Sequence, residues 1–162
     1  MRKTPQGPEP PSPGAWRGLA ARLAVGTVLV VAGILKASAP AEEFAVVIES
    51  YQVVSPEAAL PLAAVLPWVE LWVGFSLIAG YLTRLSSAAG GALFMCFIGA
   101  LAAAKARGID LPHCGCFGSG WHPDPNLTLA LDLGLLMLCV LAYRRGAALW
   151  SLDRWAEAAG EV

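Results

Sequence analysis

A chain of 162 residues with 57% hydrophobic and only 14% charged residues is too poor in charge for a soluble domain, which carries about 25%. With a mean hydropathy of +0.61 it reads as a single integral membrane domain. A net charge of −1 offers no electrostatic basis for binding nucleic acid, and four cysteines are too few and too scattered for a disulfide-rich secreted fold.

The first 17 residues are rich in proline and carry Arg2, Lys3 and Glu9, so they are predicted to be a disordered tail. Arg17 and Arg22 followed by the apolar run 23–35 and Ala37-Ser38-Ala39 are patterned like a signal peptide. An uncleaved first span over 19–39 is preferred, because further apolar segments follow and the tail before it is long. Its uncharged core is short for a span of about 20 residues, so Arg22 and Lys36 are expected to snorkel from the two ends.

Residues 40–57 combine Phe44, Val46, Val47 and Tyr51 with Glu42, Glu43 and Glu49, a pattern suited to an interfacial helix. The second span is predicted over 58–82, with Pro61, Pro67 and Glu70 inside it. The third, 85–104, has no charge; its Gly90, Gly91 and Gly99 are expected to let neighbouring helices approach closely. The fourth, 127–143, is opened by Pro125-Asn126 and holds Asp132. Residues 147–162 read as a short amphipathic segment, with Leu149, Trp150, Leu152 and Trp155 at the interface and Arg154 and Glu157 in water. The expected fold is all-α: an integral membrane four-helix bundle over residues 18–146.

Basic residues flanking the spans set the expected orientation. One side carries Arg2, Lys3, Arg17, Arg22, Arg84, Arg144, Arg145 and Arg154; the other carries Lys36, Lys105 and Arg107 among many acidic residues. Both termini are therefore expected in the cytoplasm, with the loop between the third and fourth spans outside, where disulfides persist.

That loop holds Leu111-Pro112-His113-Cys114-Gly115-Cys116-Phe117-Gly118-Ser119-Gly120-Trp121. A Cys-Gly-Cys pair that closes on itself makes a strained, easily reduced disulfide, suited to exchange. His113, beside Cys114, would raise the thiolate fraction. A permanent bridge that only tightens the loop is the alternative. Metal binding by Cys114, Cys116, His113 and His122 ranks below both, because the spacing is not a zinc pattern. No metal site is assigned. Cys96 and Cys139 differ in expected depth by about 10 Å, too far for a disulfide, and read as small buried hydrophobes. Cys96 remains a candidate relay thiol if its helix bends.

Lys36, Glu70 and Asp132 are charges inside the spans, each costing about 2.5 kcal/mol or more near the bilayer centre unless paired. Lys36 and Asp132 are expected to form a structural charge pair. Glu70 is balanced between such a role and handling the protons released by thiol chemistry. Trp68, Phe117 and Trp121 are either interface anchors or an aromatic lid.

The combination of Arg107-Gly108 with Cys114-Gly115-Cys116-Phe117-Gly118 between two apolar helices resembles the MauE/DoxX-like redox-associated membrane proteins. Gly26 with Ala32-Gly33-Ile34-Leu35-Lys36, Tyr51, and Leu66-Pro67-Trp68-Val69-Glu70-Leu71 with Gly74 are similar to the same family. The resemblance implies a four-helix membrane protein of thiol–disulfide exchange that supports maturation of extracytoplasmic, methylamine-dehydrogenase-type proteins. It also implies a thioredoxin-like extracytoplasmic partner. A membrane quinone as second electron carrier is an analogy to other four-helix disulfide-forming membrane proteins. The competing function is a non-enzymatic scaffold or maturation factor in which the Cys114–Cys116 disulfide is only structural.

Overall fold

Three of the four long helices begin on a proline, at the position where a missing N–H costs nothing. In the computed structural model these are α1 (Pro13–Ala37), α3 (Pro56–Ala79) and α5 (Pro125–Arg145). The fourth is α4 (Thr83–Ala106), and two short helices, α2 (Ala41–Ser50) and α6 (Leu152–Gly160), complete the chain. The structure describes residues 12–109, 124–145 and 149–160, and among these there is no strand. Four helices are long and apolar enough to cross a membrane, so the protein is a multi-pass membrane bundle. Side chains such as Val31, Val65, Trp72, Phe75 and Met137 are exposed on the outer flanks, where lipid replaces water as their solvent.

The spans pack in a ring, with α1 between α3 and α5, and α4 between α5 and α3. Val25 and Leu29 of α1, Val73 and Leu77 of α3, Phe94 of α4 and Cys139 of α5 form the central core. A close seam runs along α1 and α3. A Cβ at Gly26 would sit 2.9 Å from the Gly74 carbonyl oxygen, and a Cβ at Gly74 would sit 2.9 Å from that of Gly26. Gly33 stands in the same relation to Pro67, at 2.9 Å. These contacts fix an antiparallel pair with almost touching backbones. The close approach expected of the α4 glycines is therefore found elsewhere. Gly90 and Gly91 make only ordinary contacts, and Gly99 has nothing within 4 Å of its Cβ direction.

α3 runs through Pro61 and Pro67 without ending. It stops at Gly80, whose φ of 70° lets Tyr81 N–H donate to Ser76 O at 2.9 Å and Gly80 N–H to Leu77 O at 3.2 Å. α4 ends in the same way. Gly108, at φ 68°, lets Ile109 N–H donate to Ala104 O and Gly108 N–H to Lys105 O, both at 3.1 Å. The Arg107-Gly108 step is thus the stop that releases the chain into the Cys-Gly-Cys loop.

Two expectations about the termini are corrected. α1 reaches back to Pro13, into the stretch expected to be disordered, because Ala15 and Leu19 bury against Leu149. Arg22 does not snorkel. It is 1% exposed, and its guanidinium donates to Trp150 O at 2.7 Å. Of the side chains expected at the interface in 147–162, Trp150, Leu152 and Trp155 are exposed, whereas Leu149 is buried against the bundle. Asp153 goes further and caps α4, accepting from Leu82 N–H at 2.7 Å and Thr83 N–H at 2.8 Å. Burial alone would raise the Asp153 carboxyl. The backbone donors of Thr83 and Leu82 and the nearby Arg22 charge outweigh it, and the carboxyl lies below its ordinary value.

A buried charge cluster as candidate functional site

Each Cβ on a helix tilts toward the N-terminus, so a lysine in a last turn can fold its stem back into the bundle. Lys36, on the last turn of α1, does this and is 3% exposed. Its Nζ lies 2.5 Å from Glu70 Oε1 on α3. It also sits 5.2 Å from the ring centroids of both Phe44 on α2 and Phe97 on α4. Four elements thus converge on one ammonium, held by a carboxylate and two aromatic faces.

Asp132 approaches from α5 and feels the Lys36 charge. It is 6% exposed, and Thr128, one turn before it, is also buried. Asp132 Oδ2 and Glu70 Oε2 are buried without a hydrogen-bond partner. A buried acceptor in a low-dielectric site strongly favours any donor that reaches it. The expected Lys36–Asp132 pair is therefore corrected in its membership. The direct ion pair is Lys36–Glu70, and Asp132 is a third charge beside it. The expectation that Lys36 snorkels is overturned for the same reason: a carboxylate inside the bundle outcompetes the interface.

Two cavities meet at this cluster. One, of about 560 Å³, lies between α2, α3 and α4 and is lined by Phe44, Leu66, Cys96 and Phe97 together with Lys36 and Asp132. The other, of about 290 Å³, reaches Lys36, Glu70, Thr128 and Asp132 from the side of α1 and α5. Apolar walls with a few convergent polar groups are the usual make-up of a small-molecule site.

Cys114, Cys116 and His113, together with Phe117, Trp121 and His122, lie outside the described residues. The helix ends that flank their loop are described. Lys105, near the end of α4, donates to Asn126 Oδ1 at the start of α5. Arg107 donates to Gln52 O at 2.6 Å, tying the same end to the α2–α3 turn. Among the described residues Cys96 and Cys139 are free thiols. Cys139 is buried, whereas Cys96 is exposed and lines the larger cavity. Trp68 is exposed on the flank of α3 beside lipid. Phe97 and Thr128 were not legible as site residues: an aromatic or a threonine in an apolar span carries no mark of the charge it will face.

A family model described as "Methylamine utilisation protein MauE" matches residues 15–145. The chain belongs to the MauE family. The MauE match runs from the first turn of α1 to the last residue of α5, taking in the charge cluster and the Cys-Gly-Cys loop and leaving out α6. The chain is also similar to the methylamine utilization protein MauE of Methylophilus methylotrophus, at 35% identity over 96 residues. That alignment covers 59% of this chain and 50% of the relative, so the matched stretch spans half of the relative's length. No solved structure matches the chain.

Proposed function

We propose that this MauE-family chain is a membrane component of thiol–disulfide exchange that supports maturation of extracytoplasmic, methylamine-dehydrogenase-type proteins. Cys114 and Cys116 are its exchanging pair. The observation that carries the reading is the buried Lys36–Glu70–Asp132 cluster, in the half of the bundle from which the α4–α5 loop emerges. Dithiol chemistry moves a proton with each electron. Carboxylates below the loop, with unpartnered oxygens, suit that traffic.

The charge pattern supports an outward loop. Arg17, Arg84, Arg144, Arg145 and Arg154 collect at the opposite end of the bundle, the side expected to face the cytoplasm. In the exchange step a thiolate of a thioredoxin-like partner attacks one sulfur of the Cys114–Cys116 disulfide and expels the other as a thiolate. The partner's second thiolate then attacks the mixed disulfide. The partner leaves as a disulfide, and the loop keeps two electrons and takes up two protons. His113 favours the thiolate form of Cys114, and Glu70 is a candidate proton carrier deeper in the bundle, with Asp132 lying nearer the loop end.

Cys114→Ser and Cys116→Ser variants, run on non-reducing gels from intact cells, test the exchange. One of the two is expected to accumulate a covalent adduct with an extracytoplasmic thiol protein. If neither captures a partner and both support maturation fully, the disulfide is a structural tie and the scaffold reading stands. A membrane-impermeant maleimide should label the loop in intact cells after reduction. Labelling only after lysis would invert the orientation.

A further inference from the structure

The larger cavity has more in it than the exchange reaction uses. Its buried wall presents Lys36 and Asp132, and its exposed wall presents Leu62 and Cys96, which lie on spanning helices. Its mouth therefore opens toward lipid, and its occupant arrives through the bilayer. Asp132 lies seven residues into α5, about 10 Å below the start of that helix. A phospholipid headgroup does not travel to that depth, and a phosphate there would meet the Asp132 carboxylate while the Lys36 charge is already held by Glu70. The occupant is instead a largely apolar molecule with a small neutral polar head.

The lining specifies the head further. Lys36 gives an ion pair to Glu70 and still has donors to offer, so it suits a carbonyl oxygen. Asp132 Oδ2, buried and unpartnered, suits a hydroxyl. Phe44 and Phe97 flank the ammonium and offer faces for a flat ring. A ring oxygen that is a carbonyl in one state and a hydroxyl in another satisfies all three. The volume of about 560 Å³ lies within the range of small-molecule sites. We propose that the cavity between α2, α3 and α4 binds a lipid-soluble quinone, with its ring oxygen between Lys36 and Asp132.

The role of the bound quinone rests on the exchange reading above; its binding does not. When the two loop thiols form a disulfide they release two electrons and two protons. A quinone takes up two of each and becomes a quinol. The hydroxyl so formed is the donor that Asp132 lacks.

The test uses the full chain in phosphatidylcholine nanodiscs with a short-chain ubiquinone, and an azido derivative of it for cross-linking. Saturable binding is expected, with the cross-link on residues 93–101 of α4. The Cys114→Ser/Cys116→Ser double variant is expected to bind equally well. Gly99→Phe adds bulk at the cavity lining where nothing stands within 4 Å, so the fold should be kept while the Kd rises about tenfold or more. Asp132→Leu should weaken quinol binding by a similar factor and quinone binding less. The proposal falls if binding does not saturate, if Gly99→Phe and Asp132→Leu bind as wild type does, or if phospholipid or fatty acid competes equally well. Quinone binding without any trapped partner would sink the exchange reading and leave this site standing. Trapped partners without quinone binding would do the reverse.

Discussion

Replacing Lys36 by methionine keeps the apolar stem and deletes the charge. Both side chains of the Lys36–Glu70 pair are 1% exposed and their charged atoms are 2.5 Å apart. Removing one member of such a pair costs about 3–5 kcal/mol, because the other is left buried and uncompensated. The third charge makes the two halves unequal. Lys36→Met leaves Glu70 and Asp132 together with no cation, which places it at the upper end of that range. Glu70→Gln leaves Lys36 with Asp132 still nearby, which places it at the lower end. A fall of 4 kcal/mol in a bundle of this size corresponds to a Tm lowered by about 10 °C. Thermal unfolding in detergent micelles, followed by far-UV circular dichroism, would measure it. The double variant Lys36→Met/Glu70→Leu should cost about 2 kcal/mol less than the sum of Lys36→Met and Glu70→Leu. Equal losses for Lys36→Met and Glu70→Gln, or strict additivity in the cycle, would refute the three-charge account.

Asp153→Ala removes the cap of α4 and should cost about 1–2 kcal/mol in the same melt. The Asp153 carboxyl is lower in the folded protein than its ordinary value of 3.8. Its contribution is therefore fully present above that value and lost as pH falls through the lower folded one. The gap between wild type and Asp153→Ala should close on acidification from pH 5 and stay constant above it; a gap that widens would contradict the cap. Gly26→Ala puts a Cβ 2.9 Å from the Gly74 carbonyl oxygen and should destabilise by about 1–3 kcal/mol, whereas Gly99→Ala, in open space, should stabilise slightly. Arg107→Ala removes the 2.6 Å bond to Gln52 O and should cost about 1 kcal/mol, with faster hydrogen exchange in the α2–α3 turn as the local readout.

The four spans were legible because hydropathy alone decides them once water is absent, and α3 keeps its helix through Pro61 and Pro67 as spanning helices do. The exact helix stops were not read: the second span was expected to run to 82, past the stop at Gly80, and the third to end at 104, short of Gly108. The fate of the charges was not legible. Snorkelling is the default for one helix taken alone, and Arg22 and Lys36 sit near span ends where it fits. Their actual partners, Trp150 O and Glu70, are 128 and 34 residues away in the chain, and no local pattern encodes them. The glycine seam was misplaced for a related reason. Gly90, Gly91 and Gly99 stand close together in sequence, whereas Gly26 and Gly74 become a motif only when two helices meet. Cys114 and Cys116 stand out by their spacing.

The anchoring of Arg22 on Trp150 O, with Leu149 beneath Ala15 and Asp153 over the start of α4, joins nearly the first turns of the chain to nearly the last. A chain emerging from the ribosome can pair α1 with α3 early, but the Arg22 bond to Trp150 O, the Leu149 contact and the Asp153 cap form only once residues 149–153 have been made. A chain truncated before Leu149 should therefore lack all three ties and be left open at that end of the bundle.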